Sequence, residues 1–236
     1  MKVIVLSTNK YKEKDAVFSA ISESQFVTFL ARGINKPTSK NAAINNPLTI
    51  ADVELEDRDL THPILKTSKQ LFTPMKIEMD SKYLGAIMTM DEVVLYLFPD
   101  EEKHKMFSFL EQGIVSLRKT NDWLMTLLIF FANAIRLGGF ELEVNRCVIC
   151  GKKQKIVAFS FVDGGFICQD CFQEDTEHDL SKNQMILLRK IFNSRDFSLL
   201  SYSYNQEDAL ALFNKILYFI QEAFGYTFKN IRLLID

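Results

Sequence analysis

Four cysteines constrain this chain more than any other residues. They read Cys147-Val-Ile-Cys150, then seventeen residues, then Cys168-Gln-Asp-Cys171, and they are the only cysteines in 236 residues. Each Cys-x-x-Cys pair can put two thiolates on one tight turn. Two such turns facing each other make a tetrahedral sulfur site, the arrangement Zn²⁺ takes in structural roles. Iron also accepts four thiolates, so the spacing speaks for a metal before it speaks for zinc. Disulfides belong to oxidising compartments, and the opening MKVIVLSTNK has neither the apolar run nor the cleavage site of a signal peptide. A thioredoxin-type motif is a single pair opening a helix; here two pairs flank the β-prone residues 156–161. Gly151, Gly164 and Gly165 supply tight backbone around the turns. With all four sulfurs as ligands no position stays open, which predicts a structural staple and not a metalloenzyme.

The longest apolar run, residues 123–135, is too short to span a bilayer and reads as a buried core helix. Without a signal peptide, and with paired reduced cysteines, the expected location is the cytoplasm. Net charge is −2, which does not suit a strongly basic nucleic-acid binder, but the charge is unevenly spread. Residues 1–46 hold seven Lys or Arg against three acids, whereas residues 47–80 hold four against seven.

Five short apolar or alternating stretches fill the first third: residues 2–7, 16–21, 26–34, 48–56 and 63–72. No helix long enough for a parallel crossover separates them, so they predict a small antiparallel barrel of OB type. From residue 81 the period turns helical. Helices are expected over 81–98, 101–119, 123–137, 181–193 and 208–224. The second is acidic at its start and basic at its end. Asn121 or Asp122 caps the third and Gly138-Gly139 stops it; Asn205 caps the last, which ends at Gly225. Residues 123–137 are apolar on all sides and should form the centre of a bundle. Residues 228–235 make an apolar tail that can dock on the bundle. The fold class is thus α+β multidomain: a barrel domain over 1–79, a helical domain over 80–146 and 176–236, and an inserted metal module over 147–175.

Catalytic constellations are missing. His62, His104 and His178 share no motif with a nucleophile or carboxylate, and no phosphate loop, HExxH or GxSxG occurs. The acid pairs Asp57/Asp59 and Asp91/Glu92 read as solvated surface. His178 follows the last cysteine closely but reads as exposed. Lys10, Lys12 and Lys14 fall in the first connection, and Arg32, Lys36 and Lys40 follow the third strand. Cationic barrel loops with interleaved aromatics, here Tyr11 and Phe29, suit single-stranded nucleic acid: charge follows phosphates and rings stack on bases. A solvated lysine face is the competing reading.

The order of these elements resembles the bacterial RecO recombination-mediator family over nearly the whole chain. The motifs are Tyr11-Lys-Glu13-Lys-Asp15, then Ala31-Arg32-Gly33-Ile-Asn-Lys36-Pro37-Thr-Ser39-Lys40, then Arg136-Leu137-Gly138. Arg146-Cys147-Val-Ile-Cys150-Gly151 and the returning Gly164-Gly165-Phe-Ile-Cys168 complete the series. The resemblance implies an OB-fold domain, a helical domain and a zinc module. It also implies a non-enzymatic role: binding single- and double-stranded DNA, annealing complementary strands, and helping RecA replace single-strand-binding protein. RecR and the C-terminal tail of single-strand-binding protein are the implied partners. By position, Lys10, Lys12, Arg32, Lys36 and Lys40 become DNA contacts. Residues 40–46 are rich in Asn and Ala where many family members carry more Arg and Lys, which gives RecR a larger part. The alternative is a non-catalytic interaction scaffold; a hydrolase is disfavoured by the missing motifs.

Overall fold

A computed structural model describes residues 1–57, 62–176, 178 and 180–235; Asp59, half of one acid pair, lies outside them. By contact the chain groups into two units, residues 1–121 with the C-terminal residues from 228, and residues 122–227. The sequence-based division follows element type; by contact, the first two α-helices group with the barrel.

Alternation along residues 16–21 sets the barrel wall. Ala16, Phe18 and Ala20 are buried, and Val17 and Ser19 between them are half-buried on the other face. The strands are β1 (Lys2–Lys10), β2 (Ala16–Ile21), β3 (Phe26–Ala31), β4 (Ile50–Glu56) and β5 (Ile64–Phe72). They close in the order β1-β2-β3-β5-β4, with β4 returning to β1 and β3 parallel to β5. This is the expected OB-type barrel. β3 is shorter than expected because Gly33 turns left-handed, φ 65°. β4 starts late because Leu48 is also left-handed, φ 54°.

The barrel core is small apolar residues around two rings. Phe18 and Phe29 are cross-strand partners, stacked at 5.3 Å and fully buried, with Val3, Val5, Ala51 and Val53 around them. Phe29 is therefore not a base-stacking ring; its position in β3 points it inward. Ile34 and Ile44 from the β3–β4 connection join this core.

Helix α1 (Ser81–Leu97) is capped by Asp80, whose carboxylate accepts the Tyr83 N–H at 2.7 Å. The expected second helix starts later. Residues Lys103–Met106 form a 3₁₀ turn, and α2 spans Phe107–Thr120 with basic residues in its last turn and no acid in its first. Asn121 takes the left-handed end of α2, leaving Asp122 to cap the next helix. The Asp91/Glu92 pair is not solvated surface. Glu92 is buried and accepts hydrogen bonds from Lys229 N, Asn230 N and Asn230 Nδ2, so it holds the C-terminal tail on α1. Gly85 makes room for that tail: an added Cβ would lie 2.9 Å from Leu233 and Leu234.

In the second unit, α3 (Trp123–Leu137) is buried from Leu124 through Ile135, as its uniformly apolar sequence requires. It packs with α4 (Lys182–Asn193) and α5 (Gln206–Phe224), and Phe131 stacks on Phe213 at 5.7 Å. Ser181 and Gln184 form a reciprocal capping box on α4. Asn205 caps α5 and Gly225 ends it. Between α3 and α4 lies a three-stranded ribbon, β6 (Glu143–Cys147), β7 (Ile156–Ser160) and β8 (Gly165–Cys168), in the order β6-β8-β7. Among the described residues, no helix is long and apolar enough to cross a membrane.

Candidate metal centre and nucleic-acid face

The ribbon delivers the cysteines from two strand ends. Cys147 closes β6, and Cys168 closes β8. Past Cys147 the chain turns back at once: Gly151 N–H donates to the Cys147 carbonyl at 2.8 Å, and Gly151 is left-handed, φ 75°. Past Cys168 the Cys171 and Phe172 N–H groups both donate to the Cys168 carbonyl at 3.0 Å. β6 and β8 come close because Gly165 lacks a side chain; a Cβ there would lie 2.6 Å from the Glu143 carbonyl.

The four sulfurs lie within 4.8 Å of one another, and Cys150 and Cys168 are 3.5 Å apart. A tetrahedron with Zn–S of about 2.3 Å has sulfurs about 3.8 Å apart, so the set fits a four-thiolate ion. None of the four cysteines is in a disulfide. Burial opposes ionisation of Cys147, but the N–H groups of Cys150, Cys168 and Ile149 bring it down to about 6. Cys171 is pushed up to about 12 by its hydrogen bond to Cys150 and by burial. Four thiolates this close repel one another, and a divalent cation removes that conflict. His178 is exposed, as expected, with Nδ1 2.7 Å from the Thr176 carbonyl and no place in the sulfur group.

On the barrel, the two basic segments that are separate in sequence meet. The Asp15 carboxylate accepts the Gly33 N–H at 2.8 Å, and the Lys14 carbonyl accepts the Asn35 N–H at 3.1 Å. The β1–β2 turn is thereby tied to the start of the β3–β4 connection. Lys10, Lys12, Lys14, Arg32, Lys36 and Lys40 are all exposed. Lys36 lays its stem over Gly33, whose missing Cβ would sit 3.3 Å from Lys36 Cδ. Tyr11 is 56% exposed, with Lys12 Nζ 5.3 Å from its ring centroid. Tyr11, Lys12, Asp15, Val17, Leu30, Arg32 and His62 line one cleft of about 550 Å³. His62 had no signal in the sequence; the β3–β5 pairing brings it to the same cleft as Arg32.

A second feature escaped sequence reasoning. Phe140, Phe161, Tyr218 and Phe219 line an apolar groove of about 780 Å³ in the second unit, with Val162 91% exposed at its edge. Phe161 stacks on Phe219 at 4.9 Å. Arg136 and Arg195 line an adjoining cavity that shares Phe140, and burial together with Arg195 lowers the Arg136 pKa. The outward rings of α5 were the available clue.

Comparison with known proteins covers both units. The family model described as Recombination protein O C terminal matches residues 79–230, and Recombination protein O N terminal matches residues 1–71. The chain belongs to the RecO family. The RecO N-terminal match ends within β5, and the C-terminal match runs from ahead of α1 through the ribbon to α5 and beyond. Similar proteins include the DNA repair protein RecO of Bacillus subtilis, 26% identical over 98% of this chain and 91% of its own length. That of Bacillus pumilus is 29% identical over 73% and 68%, and that of Mesoplasma florum 25% over 98% and 88%. Each of these relatives is named a DNA repair protein.

Proposed function

We propose that this chain is a recombination mediator that binds single- and double-stranded DNA through the barrel and anneals complementary strands. With RecR it helps RecA load onto DNA coated with single-strand-binding protein. The observation that supports the reading is the Asp15–Gly33 tie, which joins the β1–β2 turn carrying the exposed Lys12 and Lys14 to the turn after β3 carrying the exposed Arg32 and Lys36. A row of exposed cations there neutralises phosphates and releases counterions. Lys10 and Lys40 extend the contact. No bond is made or broken in this role, and the chain works in the cytoplasm at the nucleoid.

Cys147, Cys150, Cys168 and Cys171 hold a structural Zn²⁺ that fixes the ribbon between α3 and α4. The groove beside Phe140 and Phe219 supports docking of the single-strand-binding protein's C-terminal tail. Its rings are apolar, with Asn214, Lys215 and Glu222 also on the lining, and Arg136 and Arg195 in the adjoining cavity, beside Glu141 and Glu143, offer charge to a terminal carboxylate. That groove also favours the second reading, a scaffold with little DNA binding of its own. Filter binding to single-stranded DNA at two salt concentrations, with and without RecR, separates them. Binding that weakens with salt supports the mediator; absence of binding in every condition leaves the scaffold.

A further inference from the structure

The cleft beside the β1–β2 turn has a build that backbone neutralisation does not require. Its floor is apolar: Val17 and Leu30 are cross-strand partners on the outer face, since their neighbours Phe18 and Phe29 fill the barrel. Its rim carries the exposed Tyr11 ring, Lys12, Arg32 and His62. At about 550 Å³ it lies within the small-ligand range, roughly 300–1,000 Å³. The walls are set in advance. Tyr11 N and Lys12 N donate to the Asp15 carbonyl, the Asp15 carboxylate accepts from Gly33, and Leu30 N donates to the Pro63 carbonyl at 2.9 Å. A surface that only tracks phosphates needs cations alone. An apolar floor, an exposed ring and two cations together match a base joined to its phosphate.

We propose that this cleft takes one unpaired nucleotide, its base over Val17 and Leu30 against Tyr11 and its phosphate between Lys12 and Arg32. The barrel then distinguishes single-stranded from duplex DNA. This rests on the DNA-binding reading above. In a duplex each base face is covered by its neighbours, and only the backbone reaches the cations. A single strand can turn a base into a concave site without breaking a pair. Asp15, the carboxylate on the lining among the described residues, has Oδ1 engaged by the Gly33 N–H, and His62 adds a second flat ring to the lining.

The test titrates the full chain with a single strand of about 12 nucleotides carrying one 2-aminopurine, and with the same strand in a duplex. Tyr11→Ala should weaken single-strand binding about tenfold and duplex binding less than about twofold. It should also abolish the 2-aminopurine quenching that the unaltered chain produces, and Tyr11→Phe should restore both. Circular dichroism checks that the variants fold. Equal losses on both substrates, or quenching that survives in Tyr11→Ala, overturn the nucleotide site and leave backbone binding standing. No DNA binding by the unaltered chain, with or without RecR, overturns both.

Discussion

The Asp15 carboxylate accepts the Gly33 N–H at 2.8 Å, and through that bond an acid organises a basic face. Simple Coulomb reasoning says that removing the acid should strengthen DNA binding. The geometry says that it depends on how the acid is removed.

Asp15→Asn keeps an oxygen for Gly33 and discards the charge, so single-strand affinity should hold or rise. Asp15→Ala discards the acceptor too and frees the β1–β2 turn from the Gly33 turn. Its affinity should fall severalfold, the loss of about 1 kcal/mol that one positioning hydrogen bond supplies. Equilibrium titration of both variants at one salt concentration checks the sign. A rise in both would mean that Asp15 acts only as a charge.

Metal removal should act on the ribbon and not on the barrel. The chain should bind one ion per molecule, and chelation or Cys150→Ser should lower the unfolding temperature. Salt-sensitive DNA binding should persist, because the basic residues lie in the other unit. Metal analysis and thermal melts with and without chelator give the answer.

Asp91 makes a pH-dependent prediction. Its Oδ1 is buried with no partner among the described residues, and burial, then Glu92, raise its pKa well above the ordinary value of 3.8. A raised carboxyl pKa means that the folded state holds a proton the unfolded state has released. Stability from this group is therefore full below about pH 4 and declines as pH rises toward the folded pKa. Asp91→Asn should raise the unfolding midpoint at pH 7 and flatten that decline, as measured by denaturant titration across pH.

Glu92 clamps the C-terminal tail. Glu92→Ala strands the Lys229 and Asn230 amides and should cost about 1–3 kcal/mol. Hydrogen exchange should speed up at those two amides first, with the barrel strands still protected.

Much of this was legible in residue order. The barrel showed in the inward alternation of Ala16, Phe18 and Ala20, the metal site in cysteine spacing, and α3 in its unbroken apolar run. What was hidden depends on partners far along the chain. Phe29 looked like a ring for bases because its register opposite Phe18 is a property of the sheet. Glu92 looked solvated because its partners lie 137 and 138 residues later. His62 joined the cleft only through the parallel β3–β5 contact, which local periodicity does not encode. The late start of α2 reflects the 3₁₀ turn over Lys103–Met106, where Lys103 is buried beside Phe26, with its Nζ 4.6 Å from the ring centroid.

The most direct measurement is single-strand affinity as a function of salt, for the unaltered chain and for Arg32→Glu with Lys36→Glu. If these cations together neutralise four phosphates, log affinity should fall against log salt with a slope of about −3, at about 0.7 per phosphate. The double reversal should weaken binding at least about tenfold and make the slope shallower by about 1.4. An unchanged affinity and slope in the double variant, or binding indifferent to salt, would contradict DNA contact through this face of the barrel.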